Sequence, residues 1–210
     1  MMTGEVTPTE YDEPALIERA AAGQGPAQRM LYERYHTRAF RLAYLLLQDS
    51  GDAEEIVQDA FVYALANISR YSATRGTFWA WLRVILVSRC RNLRRRRQFA
   101  LVSLDLLEGG ARLAASSGAG DDPAAVAEKR DTRRLIWQAL REVSPGARDA
   151  LILRFYEGLS YAEIGESLDC TAEAARSRVA HGKVQLRRLL SDRGVGVVPA
   201  RALTGLVGAE

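Results

Sequence analysis

The stretch from Leu159 to Leu190, LSYAEIGESLDCTAEAARSRVAHGKVQLRRLL, holds two helix starts separated by a short polar turn, and it constrains the fold more than any other segment. Ser160 followed by Glu163 has the form of a capping box: the serine oxygen accepts from a free amide of the first turn while the carboxylate accepts from the amide of the cap. Ile164 and Leu168 then give the first helix an apolar edge, and Asp169, Cys170 and Thr171 form the turn, with Thr171 as the next cap. Ala175, Val179, Gly182, Leu186 and Leu189 recur at helical spacing, so one stripe of the second helix is expected to be buried. Glu173, Arg176, Ser177, Ala180, His181 and Lys183 lie off that stripe and make a polar, mainly cationic face with small residues among them. This is the pattern of a helix pair that docks in a major groove. The plainer alternative is an antiparallel pair with a solvated charged side.

Helical periodicity extends through the rest of the chain. A short helix is expected from about Pro14 to Ala22, and a longer one from Pro26 carries Met30, Leu31, Tyr35, Ala39, Leu42, Ala43 and Leu46 on one face. After the break at residues 48–51, Asp52 with Glu55 reads as a second capping box that opens a helix bearing Ala53, Ile56, Val57, Ala60, Phe61, Ala64, Leu65 and Ile68. Residues 69–77 interrupt the pattern, and from Phe78 a helix apolar at its start, with Trp81, Leu82, Ile85 and Leu86, turns strongly cationic at its end. Gly, Ala and Ser dominate residues 99–122, as in a flexible linker. Asp122-Pro123 restarts a helix through Ile136, Ala139, Leu140 and Val143; Ser144-Pro145 starts another that stops at Gly158. No segment alternates with period two for long enough to claim a strand. The expected fold is all-α: two small helical domains, 12–98 and 123–192, joined by a flexible linker at 99–122, with the helix-turn-helix ending the second and a tail at 193–210.

The net charge is only +3, but Arg89, Arg91, Arg94, Arg95, Arg96 and Arg97 fall together, and such a block favours a polyanionic partner. No long uncharged apolar run suggests a membrane span, and the acidic N-terminus lacks the order of a secretory signal, so a cytoplasmic protein is expected. Cys90 and Cys170 stand far apart, outside any metal or redox spacing, and read as packing residues. No metal, cofactor or catalytic constellation is expected, which argues against a recombinase or transposase.

Taken in order and spacing, these segments resemble an extracytoplasmic-function (ECF) sigma factor of the sigma-70 family. DAEEIVQDAFVYAL (Asp52 to Leu65) is similar to the family's core-polymerase-binding helix, FWAWLRVILVSRCRNLRRRR (Phe78 to Arg97) to its promoter-melting helix, and Leu159 to Leu190 to its fourth conserved region. The resemblance implies a dissociable RNA polymerase subunit that recognises and opens a promoter, without catalysis of its own. It implies that Glu54, Glu55, Gln58, Asp59 and Tyr63 meet the clamp helices of the largest polymerase subunit. For the minus-10 element it implies Tyr71 and Trp79 as stacking platforms, with Phe78 and Trp81 left to the core, Arg75 in the specificity loop, Ser88 and Asn92 towards base edges, and Arg94, Arg95, Arg96 and Arg97 on phosphate.

For the minus-35 element the resemblance implies Thr171, Glu173, Arg176, Ser177, Arg178, His181 and Lys183, with Arg176 as the base reader and Arg178 on phosphate. Two departures stand out: Glu173-Ala174-Ala175 where Gly-Thr-Val is frequent, and His181-Gly182-Lys183 where Arg-Ala-Arg is frequent. Glu173 also suits a helix N-terminus, and His181 replaces a fixed charge by one that titrates near neutral. The resemblance further implies both duplex and melted promoter DNA as partners and an anti-sigma protein. The rival is a helix-turn-helix regulator that binds operators as a dimer, for which the N-terminal half offers no evident sensor.

Overall fold

Three prolines and a sequence of polar caps set the helix boundaries. In the computed structural model the chain is described over residues 12–105 and 125–194, with side chains over 12–98 and 134–194. The first body comprises α1 (Glu13–Ala21), α2 (Gly25–Leu47), α3 (Ser50–Ala66) and α4 (Phe78–Asp105); the second comprises α5 (Ala125–Glu142), α6 (Pro145–Phe155), α7 (Tyr161–Leu168) and α8 (Ala172–Ser191). Pro14, Pro26 and Pro145 each stand in the first turn of their helix, where the missing amide costs nothing.

Two boundaries and one buried stripe differ from the sequence expectation. The cap of α3 is Asp49, whose side chain accepts from the Asp52 amide at 2.8 Å, so the helix starts at Ser50 and Asp52 is not its cap. Gln48 closes α2 in the left-handed conformation, φ 60°, directly ahead of that cap, and Asp52 is left to pair with Arg97 of α4. Secondly, α4 continues as helix to Asp105, so the linker expected from residue 99 begins within a helix. Thirdly, Leu190 rather than Leu189 completes the buried stripe of α8, because 186 to 190 keeps the four-residue step while 189 falls on its edge. The Asp122-Pro123 restart, the rest of the expected linker and the tail beyond Gly194 lie outside the described residues.

In the first body α2 packs on α1, α3 and α4 around Leu31, Leu42, Leu46, Val57, Phe78, Leu82 and Leu86. Cys90 is wholly buried there, and burial pushes its thiol up to about 12, consistent with a packing residue. In the second body α8 lies across α5, α6 and α7 around Ile136, Leu140, Leu151, Leu153, Ile164, Leu168 and Val179. Complete burial of each such Leu, Ile, Val or Phe contributes roughly 1.5–3 kcal/mol.

Two glycines permit the close contacts of the second body. A Cβ on Gly165 would stand 2.5 Å from the Cys170 carbonyl oxygen, in the α7–α8 turn, and one on Gly182 would stand 2.9 Å from the Leu151 side chain. The bodies themselves abut, α4 against α7 and α2 against α6.

Candidate functional site

The α7–α8 unit is held by local hydrogen bonds that its sequence prescribes. The Ser160 amide donates to Glu163 Oε2 at 2.8 Å and the Glu163 amide donates to Ser160 Oγ at 3.3 Å, which is a complete capping box. The Ser160 hydroxyl, which also donates to Glu163 Oε2 at 2.7 Å, and after it the Ser160 amide stabilise the carboxylate and hold Glu163 below its ordinary pKa. The Ala174 amide donates to Thr171 Oγ1 at 3.1 Å, capping α8. With Ala175, Val179, Gly182, Leu186 and Leu190 turned inward, Thr171, Glu173, Arg176, Ser177, His181 and Lys183 are all exposed. Arg176 carries its guanidinium 5.2 Å from the centre of the Tyr161 ring, and Arg154 stands 4.9 Å from the same ring. Arg178 is half-buried and points back to the turn, 3.4 Å from Cys170 Sγ, so it is less free than its place in the Arg-Ser-Arg triplet suggests.

The arginines of α4 meet carboxylates of the same chain. Arg89 lies 3.4 Å from Asp59, Arg97 pairs through both of its terminal nitrogens with Asp52, and Arg94 pairs likewise with Asp149 of α6. Burial alone would lower the pKa of Arg94, but the Asp149 carboxylate outweighs it and holds the group above its ordinary value. Arg94 and Arg97 are therefore both paired with acids of the chain, Arg94 half-buried at Asp149 and Arg97 still exposed beside Asp52. Mutual repulsion in the arginine block is relieved by acids distant in sequence, which the local pattern does not disclose. Arg95 and Arg96 remain exposed, Arg95 touching only Asn92 Oδ1 at 3.3 Å among its described contacts, and Ser88 and Asn92 are exposed on the same helix.

The expected roles of the aromatic residues are partly exchanged. Trp79 is only 5% exposed, stacks on Tyr35 and lies under the Arg38 guanidinium, so it is a core residue here and not a free platform. Trp81, expected inside, is half-buried and packs beside Tyr71. The reason is the phase of α4, whose buried stripe runs 78, 79, 82, 86, 87 and 90 and leaves 81 and 85 at its edge. Tyr71 is half-buried and donates to the Gly76 carbonyl at 3.2 Å across a loop of two short 3-10 turns (Ile68–Arg70 and Ala73–Arg75), in which Arg75 is exposed. Gly76 closes that loop at φ 133°, a conformation that requires glycine.

On α3, Glu55, Gln58, Asp59 and Tyr63 are exposed, whereas Glu54 is half-buried beside His36, 3.2 Å away. Val62, which is not among the residues expected at this face, is 70% exposed beside Tyr63. Val62 and Tyr63 thus make a small exposed apolar spot among the acids of α3.

Residues 31–100 match the family description Sigma-70 region 2, and residues 133–186 match Sigma-70, region 4. The chain is also similar to the ECF RNA polymerase sigma factor SigK of Mycobacterium ulcerans, at 29% identity over 179 residues covering 85% of this chain and 94% of that one. The chain belongs to the sigma-70 family, in its ECF branch. This sigma factor is further similar to the ECF RNA polymerase sigma factor SigE of Mycolicibacterium smegmatis, at 32% identity over 169 residues, 79% of this chain and 62% of that one. Its fold matches that of CnrH, solved in complex with the cytosolic domain of CnrY, at a TM-score of 0.58 and 22% identity over 86% of this chain and 97% of that one. It also matches the sigma factor RpoE in complex with the anti-sigma factor NepR from Bartonella quintana, at a TM-score of 0.58 and 21% identity over 78% and 96%. The first body of this sigma factor thus holds region 2 and the second holds region 4, and its function is promoter recognition in transcription initiation. That membership decides against the dimeric operator-binding regulator. Among the described residues no helix is long and apolar enough to cross a membrane.

Proposed function

We propose that this sigma factor grips the clamp helices of the largest core polymerase subunit with the exposed strip of α3, opens the minus-10 element with α4 and the loop before it, and reads the minus-35 element with α8. The observation that carries the reading is the exposed strip Glu55, Gln58, Asp59, Val62 and Tyr63, which is acidic and apolar, unsuited to DNA, and stands on a different helix from the cations. Glu54 supports the strip from beneath through His36. On α8, Arg176 is the base reader, since a guanidinium fork on a guanine edge gives about 1–3 kcal/mol of discrimination. Ser177, Lys183 and His181 flank it, Arg178 and Thr171 position the turn, and Glu173 favours the helix N-terminus. At minus-10, Ser88 and Asn92 face base edges, Arg75, Arg95 and Arg96 take phosphate, and Tyr71 with Trp81 supplies an aromatic surface.

Its part in initiation is binding and positioning, with no bond made or broken by its own side chains, and it acts in the cytoplasm. Neither body needs to bind DNA tightly alone, because tethering on one polymerase raises the effective concentration of the second contact. An anti-sigma protein is the expected regulator, as in the RpoE–NepR complex. Run-off transcription with purified core polymerase and a pool of promoter sequences tests activity and specificity together. Transcription from a distinct promoter subset supports the reading, and Asp59→Ala protein captured by core at wild-type affinity removes Asp59 from the polymerase contact.

A further inference from the structure

Three helices meet at one tyrosine ring. Tyr161 is the first residue of α7, fixed there by the Ser160–Glu163 capping box, and it is half-buried. Gly158, at φ 73°, turns the chain from α6 towards that box. Arg154, in the last turn of α6, donates to the Leu159 carbonyl at 2.6 Å and carries its guanidinium 4.9 Å from the ring centre. From the second turn of α8, Arg176 brings its own guanidinium to 5.2 Å from the same centre.

The two cations differ in what else they hold. Arg154 is half-buried and has committed a donor to a backbone carbonyl, whereas Arg176 is exposed and, among the described residues, makes no hydrogen bond and pairs with no carboxylate. The kind of contact matters. A carboxylate takes the N–H edge of a guanidinium, as Asp149 does with Arg94 and Asp52 with Arg97. An aromatic face attracts the cation through its quadrupole and consumes none of its N–H donors.

We infer that Tyr161 is a positioning residue for base reading: its ring steadies the Arg176 side chain while leaving the whole donor fork free for a guanine edge. The inference rests on the proposed role of Arg176 as base reader. Steadying a long side chain before the encounter reduces the rotamer freedom it must give up on the DNA. Arg154 completes the device, because a second cation held at the same ring repels Arg176 and keeps it from settling further inward. On a wrong base pair the fork stays unmatched whether or not the ring steadies it. The ring therefore acts on discrimination rather than on phosphate-driven affinity.

The test uses the full chain assembled with core polymerase and an upstream duplex that the holoenzyme selects from the promoter pool. Each guanine of the element is replaced in turn by deazaguanine, in which N7 becomes C–H, and binding is read by competition. In the wild type one such replacement should weaken binding roughly tenfold, within the worth of one bidentate contact, and Arg176→Ala should abolish that penalty. Tyr161→Leu should shrink the penalty by about two- to fivefold, the worth of one exposed cation–π contact, while Tyr161→Phe keeps it. Trifluorophenylalanine in place of Tyr161 keeps the ring's shape but drains negative charge from its face, so it should behave as Tyr161→Leu does. It decides the matter if Tyr161→Leu loses helical circular dichroism. A penalty that follows Arg176 but is the same with the fluorinated ring as with Tyr161→Phe overturns the inference alone. A penalty lost equally in Tyr161→Phe assigns the effect to the hydroxyl and overturns it as well. No deazaguanine penalty at any position, or one that survives Arg176→Ala, overturns the base-reader role of Arg176 and the inference with it.

Discussion

Helices α4 and α8 are both rich in arginine, yet their charges have different fates. On α4, Arg89, Arg94 and Arg97 are paired with Asp59, Asp149 and Asp52. On α8, among the described residues, Arg176 leans on the Tyr161 ring and Arg178 on Cys170 Sγ, and no carboxylate pairs with either. Density of charge along a sequence therefore does not measure charge available to a partner. What separates the helices is their neighbours: α4 passes acids of α3 and α6, while the outer face of α8 looks to solvent.

The largest expected effect disables α8 and leaves α4 untouched. Gly165→Ala places a methyl group against the Cys170 carbonyl, a backbone atom that cannot turn aside, and should cost about 3 kcal/mol, the upper end for overpacking; denaturant unfolding measures it, and minus-35 binding should fall with it. Next, Arg176→Ala should lose about 2 kcal/mol of discrimination at one base pair of the upstream element, read from competition binding by the holoenzyme against single-base variants. A loss spread evenly over all sequences would make Arg176 a backbone contact and bring α8 closer to α4 in kind.

Within α4 the paired and unpaired arginines should separate. Arg97→Ala leaves the Asp52 carboxylate, only 10% exposed, without its partner, and should lower stability by about 1–2 kcal/mol with little effect on strand binding. Arg96→Ala should do the reverse: unchanged unfolding, and a logarithmic salt slope of strand binding shallower by about one, the signature of a single phosphate contact. If both variants behave alike, the distinction drawn on α4 fails.

The smallest effect is a pH dependence in α7. Because Glu163 has a lowered pKa in the folded chain, its stabilising share is fully present above the ordinary carboxylate range and is lost as pH falls through the lowered value. Acid titration of the second body by NMR should show Glu163 protonating below the exposed acids, and Ser160→Ala should bring it back among them.

Much of the fold was legible in one dimension because its causes are local. Ser160 with Glu163, Thr171 at the head of α8, Pro26 and Pro145 act within a few residues of themselves, and each does in the structure what its type and spacing imply, while Gly158 takes the left-handed conformation expected of it although α6 already ends at Phe155. Asp49 shows the limit: it competes with Asp52 for the same cap, and the left-handed turn at Gln48 settles which one wins. Trp79 and Trp81 show it again, since two residues of similar chemistry were sorted only by the rotational phase of α4 against α2.

The sequence by itself determined the helices, their capped starts, the cationic face of α8 and the family, because periodicity and capping are short-range and survive in any window of the chain. Only the tertiary structure decided which arginines are spoken for, which tryptophan is inside, and that Glu157 and Asp149 reach across to the other body. Those outcomes depend on pairs such as 79 with 157 and 94 with 149, and a Coulomb contact between residues so far apart leaves no mark on the sequence around either one.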